Sequence, residues 1–428
     1  VSSEHEPGAA GATPPTNGNG NGNGAAEWAR LQRVALIAGG VGLVIFVALG
    51  LLQIGQTDGK RQFFLSYLTA WVFWLSLPVG CLAWLGLTQL TGASWGVLLT
   101  RFFEAATRTI GLMALLFVPL AASVFIADAS PYPWSKKAEE VIPEANADAI
   151  HELQQKFNDW CNPPGFVIRA VIYFAIWIIL IHLMNKWSKR VEETNDVRAR
   201  RSAEAMSGPL VMAFAVTNIF AATDFVMSLE LTWSSTMFPL IYCINQLLTC
   251  LCFSVAVFLT LAPQPPLKNV LRPKFQLDMG SMMLALTMVW SYMSFAQYLL
   301  VWIGNLPEEI PFFIKRTRGG WEYAARALCV LHFALPFLLL LFRDVKLHPK
   351  RLRSMGILIV TMCALDVIWW IEPVYPRENF PVFLFMDIAA IVGIGGIWGW
   401  MFIAQLKKMP LVPTNYIGQL PKGHDHDH

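Results

Sequence analysis

The chain has 428 residues, 55% of them hydrophobic and only 14% charged, with 32 Lys and Arg against 29 Asp and Glu for a net charge of +3. Soluble domains carry about 25% charged residues, so a chain this long cannot cover a water-facing surface, and most of it must face lipid. The near balance of charge also leaves no polyelectrolyte face of the kind nucleic acid requires.

Residues 1 to 30 are polar and include the alternating run Asn17 to Gly24, which has nothing to bury and reads as a disordered cytoplasmic tail. The first Arg is Arg30, and it precedes a full-length apolar run, so that run reads as a retained anchor and not as a cleaved signal peptide. A helix needs about 20 apolar residues to cross a bilayer. Runs of this kind lie near 31 to 54, 64 to 90, 108 to 127, 166 to 185, 208 to 228, 236 to 262, 279 to 304, 321 to 342, 354 to 373 and 381 to 404. The fold class is therefore all-α integral membrane, with ten transmembrane helices over 31 to 405 and a second cytoplasmic tail over 406 to 428. Pro78, Pro119, Pro239 and Pro336 fall inside spans, as does Gly393-Ile394-Gly395-Gly396, which reads as a break in the tenth.

Lys and Arg concentrate in alternate connections: Lys186, Lys189, Arg190, Arg198, Arg200 and Arg201 follow the fourth span, and Arg343, Lys346, Lys350, Arg351 and Arg353 follow the eighth. By the positive-inside rule both termini are cytoplasmic, and the loops 128 to 165 and 305 to 320 face the outer compartment.

Ionisable groups within spans are costly, about 2.5 to 3.5 kcal/mol each at mid-helix, so each raises a question of function. Asp224 lies one turn from the outer end of span five, with Glu230 just beyond; Asp366 and Glu372 lie in the same half of span nine, and Asp387 near the start of span ten. Glu322 and Arg326 form an i,i+4 pair opening span eight. On the cytoplasmic side are Glu104 and Arg108 at span three, His182 closing span four and Asp278 opening span seven. His332 stands near the middle of span eight, at a depth like that of Tyr292, Gln297, Asn245 and Gln246, and is either a proton relay or a hydrogen-bonded core histidine.

The seven cysteines, Cys81, Cys161, Cys243, Cys250, Cys252, Cys329 and Cys363, contain no C-x-x-C pair, and all but Cys161 sit in apolar runs as small buried hydrophobes. His182 and His332 differ in depth by roughly 10 Å from helix rise, which argues against a shared haem; the chain shows no haem or iron–sulfur ligand pattern. The terminal His424, His426 and His428 read as a solvated tail, with no metal site expected.

Several stretches, taken in order, resemble the NrfD/polysulfide reductase family of membrane subunits, and within it the ActF branch, the second such subunit of bacterial alternative complex III. They are Ser66 to Trp74, Leu90 to Gly96 leading into Arg101 and Glu104 to Arg108, Thr223 to Leu229 with Trp233 to Pro239, and Gly304 to Ile310 with Trp321. The resemblance implies two four-helix bundles, spans two to five and six to nine, with spans one and ten peripheral. It implies a subunit of a menaquinol:cytochrome c or electron acceptor oxidoreductase in a bacterial inner membrane, contributing a quinol-site-like bundle, a proton pathway, or both, and no redox centre of its own. Implied partners are a homologous membrane subunit, an iron–sulfur/molybdopterin-like periplasmic subunit, multihaem and monohaem cytochromes c, and membrane lipid, with menaquinone as the quinone. Carried onto this chain, Asp224, Asp366, Glu372, Asp387 and His332, with Glu104, Arg108 and His182 nearer the cytoplasm, become proton-relay candidates. Asp224, Arg326 and Asp366 become quinol-site candidates.

Two other classes fit the same residues. A secondary transporter would also have about ten helices and midplane polar groups, and a passive anchor of the complex would use every acid structurally.

Overall fold

A computed structural model describes residues 22–53, 55, 59–92, 94–137, 140, 147–194, 196–264, 267–307, 309–375 and 380–412. The chain is all-α, and ten of its helical segments are long and apolar enough to cross a membrane. The first span is α1 (Gly22–Gln53) and the second α2 (Gly59–Thr91). Two helices make the third, α3 (Ser94–Thr107) and α4 (Ile110–Ser123). The short α5 (Ala147–Asp159) precedes α6 (Pro163–Thr194) and α7 (Val197–Phe225), the fourth and fifth spans. Then come α8 (Phe238–Leu261) and α9 (Pro273–Gly304), with the short α10 (Ile310–Arg316) after them. The eighth span joins α11 (Trp321–Ala327), a π-helical turn (Leu328–Ala334) and α12 (Leu335–Leu341). A five-residue helix, α13 (Arg343–Leu347), leads into α14 (Pro349–Ile371), and α15 (Phe380–Leu406) closes the described chain. Pro at the first turn of α8, α9 and α14 starts those helices where an N–H would in any case be unpaired.

The helices α2, α3–α4, α6 and α7 pack as one four-helix group, and α8, α9, the eighth span and α14 as another. The two meet where α2 packs on α8, and small residues permit the approach: a Cβ on Gly80 would lie 2.5 Å from Cys250 Sγ and 2.9 Å from the Gln246 carbonyl oxygen. Burial reflects this centre, with 89% of the apolar window of α2 enclosed by protein against 22% for α1 and α9.

The peripheral spans α1 and α15 pack on each other and on α2. The glycines expected to break the tenth span do not; α15 is continuous, and a Cβ on Gly396 would stand 2.3 Å from Gly39 Cα. They are there for close backbone approach, the use small residues have between membrane helices. The interruptions fall elsewhere, at Arg108 and Thr109 between α3 and α4 and at the π turn. Residues 22 to 30 of the expected N-terminal tail already belong to α1, while residues 1 to 21 and the terminal histidines lie outside the described residues. The cysteine reading shifts at two positions, Cys161 being buried and Cys329 exposed.

Candidate functional site

Inside the second four-helix group is a cavity of about 630 Å³, within the range of small-molecule sites. Aromatic side chains dominate its wall, Trp290, Trp369, Trp370, Phe238, Phe312 and Phe333 among them. Asp366 is the one carboxylate among the lining residues. Tyr292 and Phe295 line the cavity yet are 73% and 62% exposed, so it opens sideways between α9 and the eighth span onto the apolar surface. We call the end of the molecule where α1 begins and α15 finishes the near end. Asp366 lies five residues before α14 stops, which puts it about 8 Å from the far end of that helix.

Asp366 is held from two sides. Its Oδ2 accepts from Asn245 Nδ2 of α8 at 2.9 Å and from Trp290 Nε1 of α9 at 2.8 Å. Among the described residues no hydrogen bond goes to Oδ1, which leaves one carboxylate oxygen as an acceptor for a ligand in the cavity. Behind Trp290 stands His332, fully buried, its ring 3.8 Å from the indole and its Nε2 3.5 Å from Cys363 Sγ. Its Nδ1 is buried without a partner among the described residues. The π turn explains how one helix serves both sides: i→i+5 pairing brings Leu328 and Phe333 to the cavity while His332, between them, points to the core. Of the residues expected at similar depth, Asn245 therefore joins Asp366, Tyr292 and Gln297 line the cavity, and Gln246 is buried outside it.

The roof is α10, which contributes Phe312 and Phe313. Arg316 fixes it. This guanidinium, wholly buried, donates to the carbonyls of Phe312 (2.9 Å), Trp369 (3.1 Å) and Trp370 (2.5 Å) and pairs with Glu230 at 3.2 Å. It thereby satisfies two carbonyls that the end of α14 leaves open. Lys315 holds the other Glu230 oxygen at 2.8 Å. Burial lowers the Arg316 pKa to about 10, with Glu230 opposing the shift, and the side chain remains charged at neutral pH.

The other candidates do not join this cavity. Glu372 and Asp387 converge on one face of α2: Glu372 accepts from Gln62 at 2.9 Å and Thr69 at 2.5 Å, and Asp387 accepts from Ser66 at 2.5 Å. Positions 62, 66 and 69 share a helix face, so the two acids form a second polar cluster, fully enclosed. Asp224 belongs to the first helix group, clamped by Arg169 (2.8 and 2.9 Å), Tyr173 (2.7 Å) and Trp160 (2.9 Å). Glu104 is buried near the opposite end of that group, bonded to Arg101 at 2.8 Å and to the Ser188 hydroxyl, while Arg101 also reaches Glu192 at 2.5 Å. Arg108 donates to Asn185 at 2.8 Å, on the break between α3 and α4. His182 is exposed on the outer side of α6, in a different helix group from His332. Arg326 is exposed, lies over the Tyr323 ring and does not line the cavity; Glu322 accepts instead from the Gly320 N–H at 2.8 Å, so the expected i,i+4 pair does not form. Asp278 is half-buried in the first turns of α9.

Of the three quinol-site candidates, then, only Asp366 lines the cavity. Residues that sequence reasoning missed are Trp290, Cys363, Arg316, Arg169 and the α2 donors Gln62, Ser66 and Thr69. Arg316 falls in the expected loop 305 to 320, and Trp290 is one of 17 tryptophans; spacing carries no signal that would single out either. Among the described residues no three His, Cys, Asp or Glu side chains converge as metal ligands. Comparison with known proteins finds no matching family model and no match among curated proteins.

Proposed function

We propose that the chain is a membrane subunit of a quinol:electron acceptor oxidoreductase, and that the lateral aromatic cavity takes the quinol head group with Asp366 as its proton acceptor. The observation that carries this reading is a single carboxylate, one oxygen unengaged, in an aromatic cavity that opens sideways onto a lipid-facing surface. A quinol is an amphipathic ligand dissolved in the membrane, with a flat ring, two hydroxyls and an apolar tail. Such a ring stacks between aromatic faces, its hydroxyl donates to Asp366 Oδ1, and the tail leaves past Tyr292 and Phe295. A carboxylate within hydrogen-bond reach of the hydroxyl serves as general base when the quinol is oxidised. Asp366 takes the proton of one hydroxyl, the proton of the other leaves to water at the far end, and the two electrons pass to redox centres of partner subunits, an iron–sulfur protein and cytochromes c. Charge bias in the connections supports both termini on the cytoplasmic side, and the reading brings with it a bacterial inner membrane, so that the cavity, nearer the far end, faces the compartment where those partners dock. The enclosed pair Glu372 and Asp387 is, in this reading, a separate cluster available for proton transfer.

The test is photolabelling of the chain in its native complex with an azido-menaquinone. Label on peptides of α9 and the eighth span, competed by unlabelled menaquinol, supports the reading. Label confined to another subunit removes the cavity from quinol chemistry, and substrate uptake by the chain alone in liposomes favours a transporter.

A further inference from the structure

At the near end, the eighth span turns sharply: Phe342 adopts an extended conformation (φ −76°, ψ 124°) and α13 begins at once with Arg343. Just before the turn, Leu338, Leu341 and Phe342 are 55%, 55% and 63% exposed on the apolar surface. After it, Arg343, Lys346, Lys350, Arg351 and Arg353 follow within eleven residues, with Asp344 the one acid. Asp344 is already neutralised, since Arg351 and His348 both bond to it. Arg343 and Lys350 are exposed. Lys346 is held in place: its stem crosses Gly280 of α9, where a Cβ would lie 2.7 Å from Lys346 Cγ, and its Nζ donates to Ser281 Oγ at 3.0 Å. The chain thus sets an exposed apolar strip directly against a fixed ammonium and two cations, Arg343 and Lys350, that have no ion pair among the described residues, at the rim of a membrane-spanning helix.

We infer that this corner binds one anionic phospholipid, its phosphate between Arg343, Lys346 and Lys350 and an acyl chain along Leu338, Leu341 and Phe342. The occupant follows from charge complementarity together with the adjacent apolar strip. A zwitterionic head group would bring its own cation against the three of the protein, and a free phosphate would leave the apolar strip uncovered. The site is about the length of the eighth span away from the cavity roof and does not depend on quinol binding.

Native mass spectrometry of the full chain, released from detergent with added phosphatidylglycerol or phosphatidylcholine, tests it. The expected result is one tightly retained phosphatidylglycerol. Arg343→Gln with Lys350→Gln should weaken retention about twenty-five-fold, at about five-fold for each charge near an anionic surface. Lys136→Gln with Lys137→Gln, at the other end of the molecule, should leave it unchanged. Should the first pair fail to fold, Leu338→Gln with Leu341→Gln probes the acyl contact in its place and should also reduce retention. Equal retention of phosphatidylcholine, equal displacement by inorganic phosphate, or no loss in either folded variant would overturn the inference.

Discussion

Replacing Asp366 separates its chemical role from its structural one, because the two available substitutions leave different bonds behind. Oδ2 accepts from Asn245 at 2.9 Å and Trp290 at 2.8 Å, both buried. In Asp366→Asn the amide oxygen can take both donors, so folding should change by no more than about 1 kcal/mol, the scale of one hydrogen bond. The amide nitrogen then occupies the position of Oδ1, and it is a donor that cannot accept a proton from a quinol. Loss of a general base costs about 10²- to 10⁴-fold in rate. Asp366→Ala instead leaves the Asn245 and Trp290 N–H groups without a partner, at about 1–3 kcal/mol each. The alanine variant should therefore lower thermal stability clearly while the asparagine variant keeps it. The assay is menaquinol oxidation by the intact complex, with scanning fluorimetry of the same samples. Undiminished turnover in a folded Asp366→Asn complex would refute the proton-acceptor role. Equal stability of the two variants would refute the account of how Asp366 is held.

Arg316→Met should lower stability by about 3–5 kcal/mol, the usual consequence of removing one partner of a buried ion pair, and limited proteolysis should then cut in α10; the Lys315 contact to Glu230 places the loss toward the lower end. Arg169→Met should be similarly destabilising, and adding Asp224→Asn should recover part of the loss, which a double-mutant cycle measures; a fully additive result would mean that the four-donor clamp on Asp224 is not a unit. Gly396→Leu should separate α15 from α1, because even a Cβ there meets Gly39 at 2.3 Å, and the cost should exceed the 1–3 kcal/mol of ordinary overpacking. His182→Phe should change neither stability nor proton release by a measurable amount, since the imidazole is exposed on the outer side of α6.

Much of the fold was legible in one dimension. Hydrophobic runs of membrane length fixed ten helices, and their count puts the ends of the first and last spans on one side. That much depends only on the cost of leaving backbone polar groups unpaired in lipid, which acts on each segment separately. Helix rise also set Asn245 and His332 at one level, and the structure gathers both, with Asp366, around Trp290, because position along a span follows from counting residues.

Partners did not follow from counting. Asp224 finds Arg169 at 55 residues' separation, Asp366 finds Asn245 at 121, Glu372 finds Thr69 at 303 and Asp387 finds Ser66 at 321. A helical sequence states which face and what depth a side chain has, but the helix opposite that face is chosen by packing. Tertiary structure therefore decided that Asp366 alone of the quinol-site candidates lines the cavity, and that Asp224 is locked by four donors. The same holds for two further positions, the glycines of the tenth span and Arg316 of the expected loop 305 to 320. Glycine can loosen a helix or admit a neighbour, and a charge in a loop can be solvated or buried. Only the position of α1 against α15, and of α10 over the end of α14, selects between them, because each outcome depends on a surface that another part of the chain supplies.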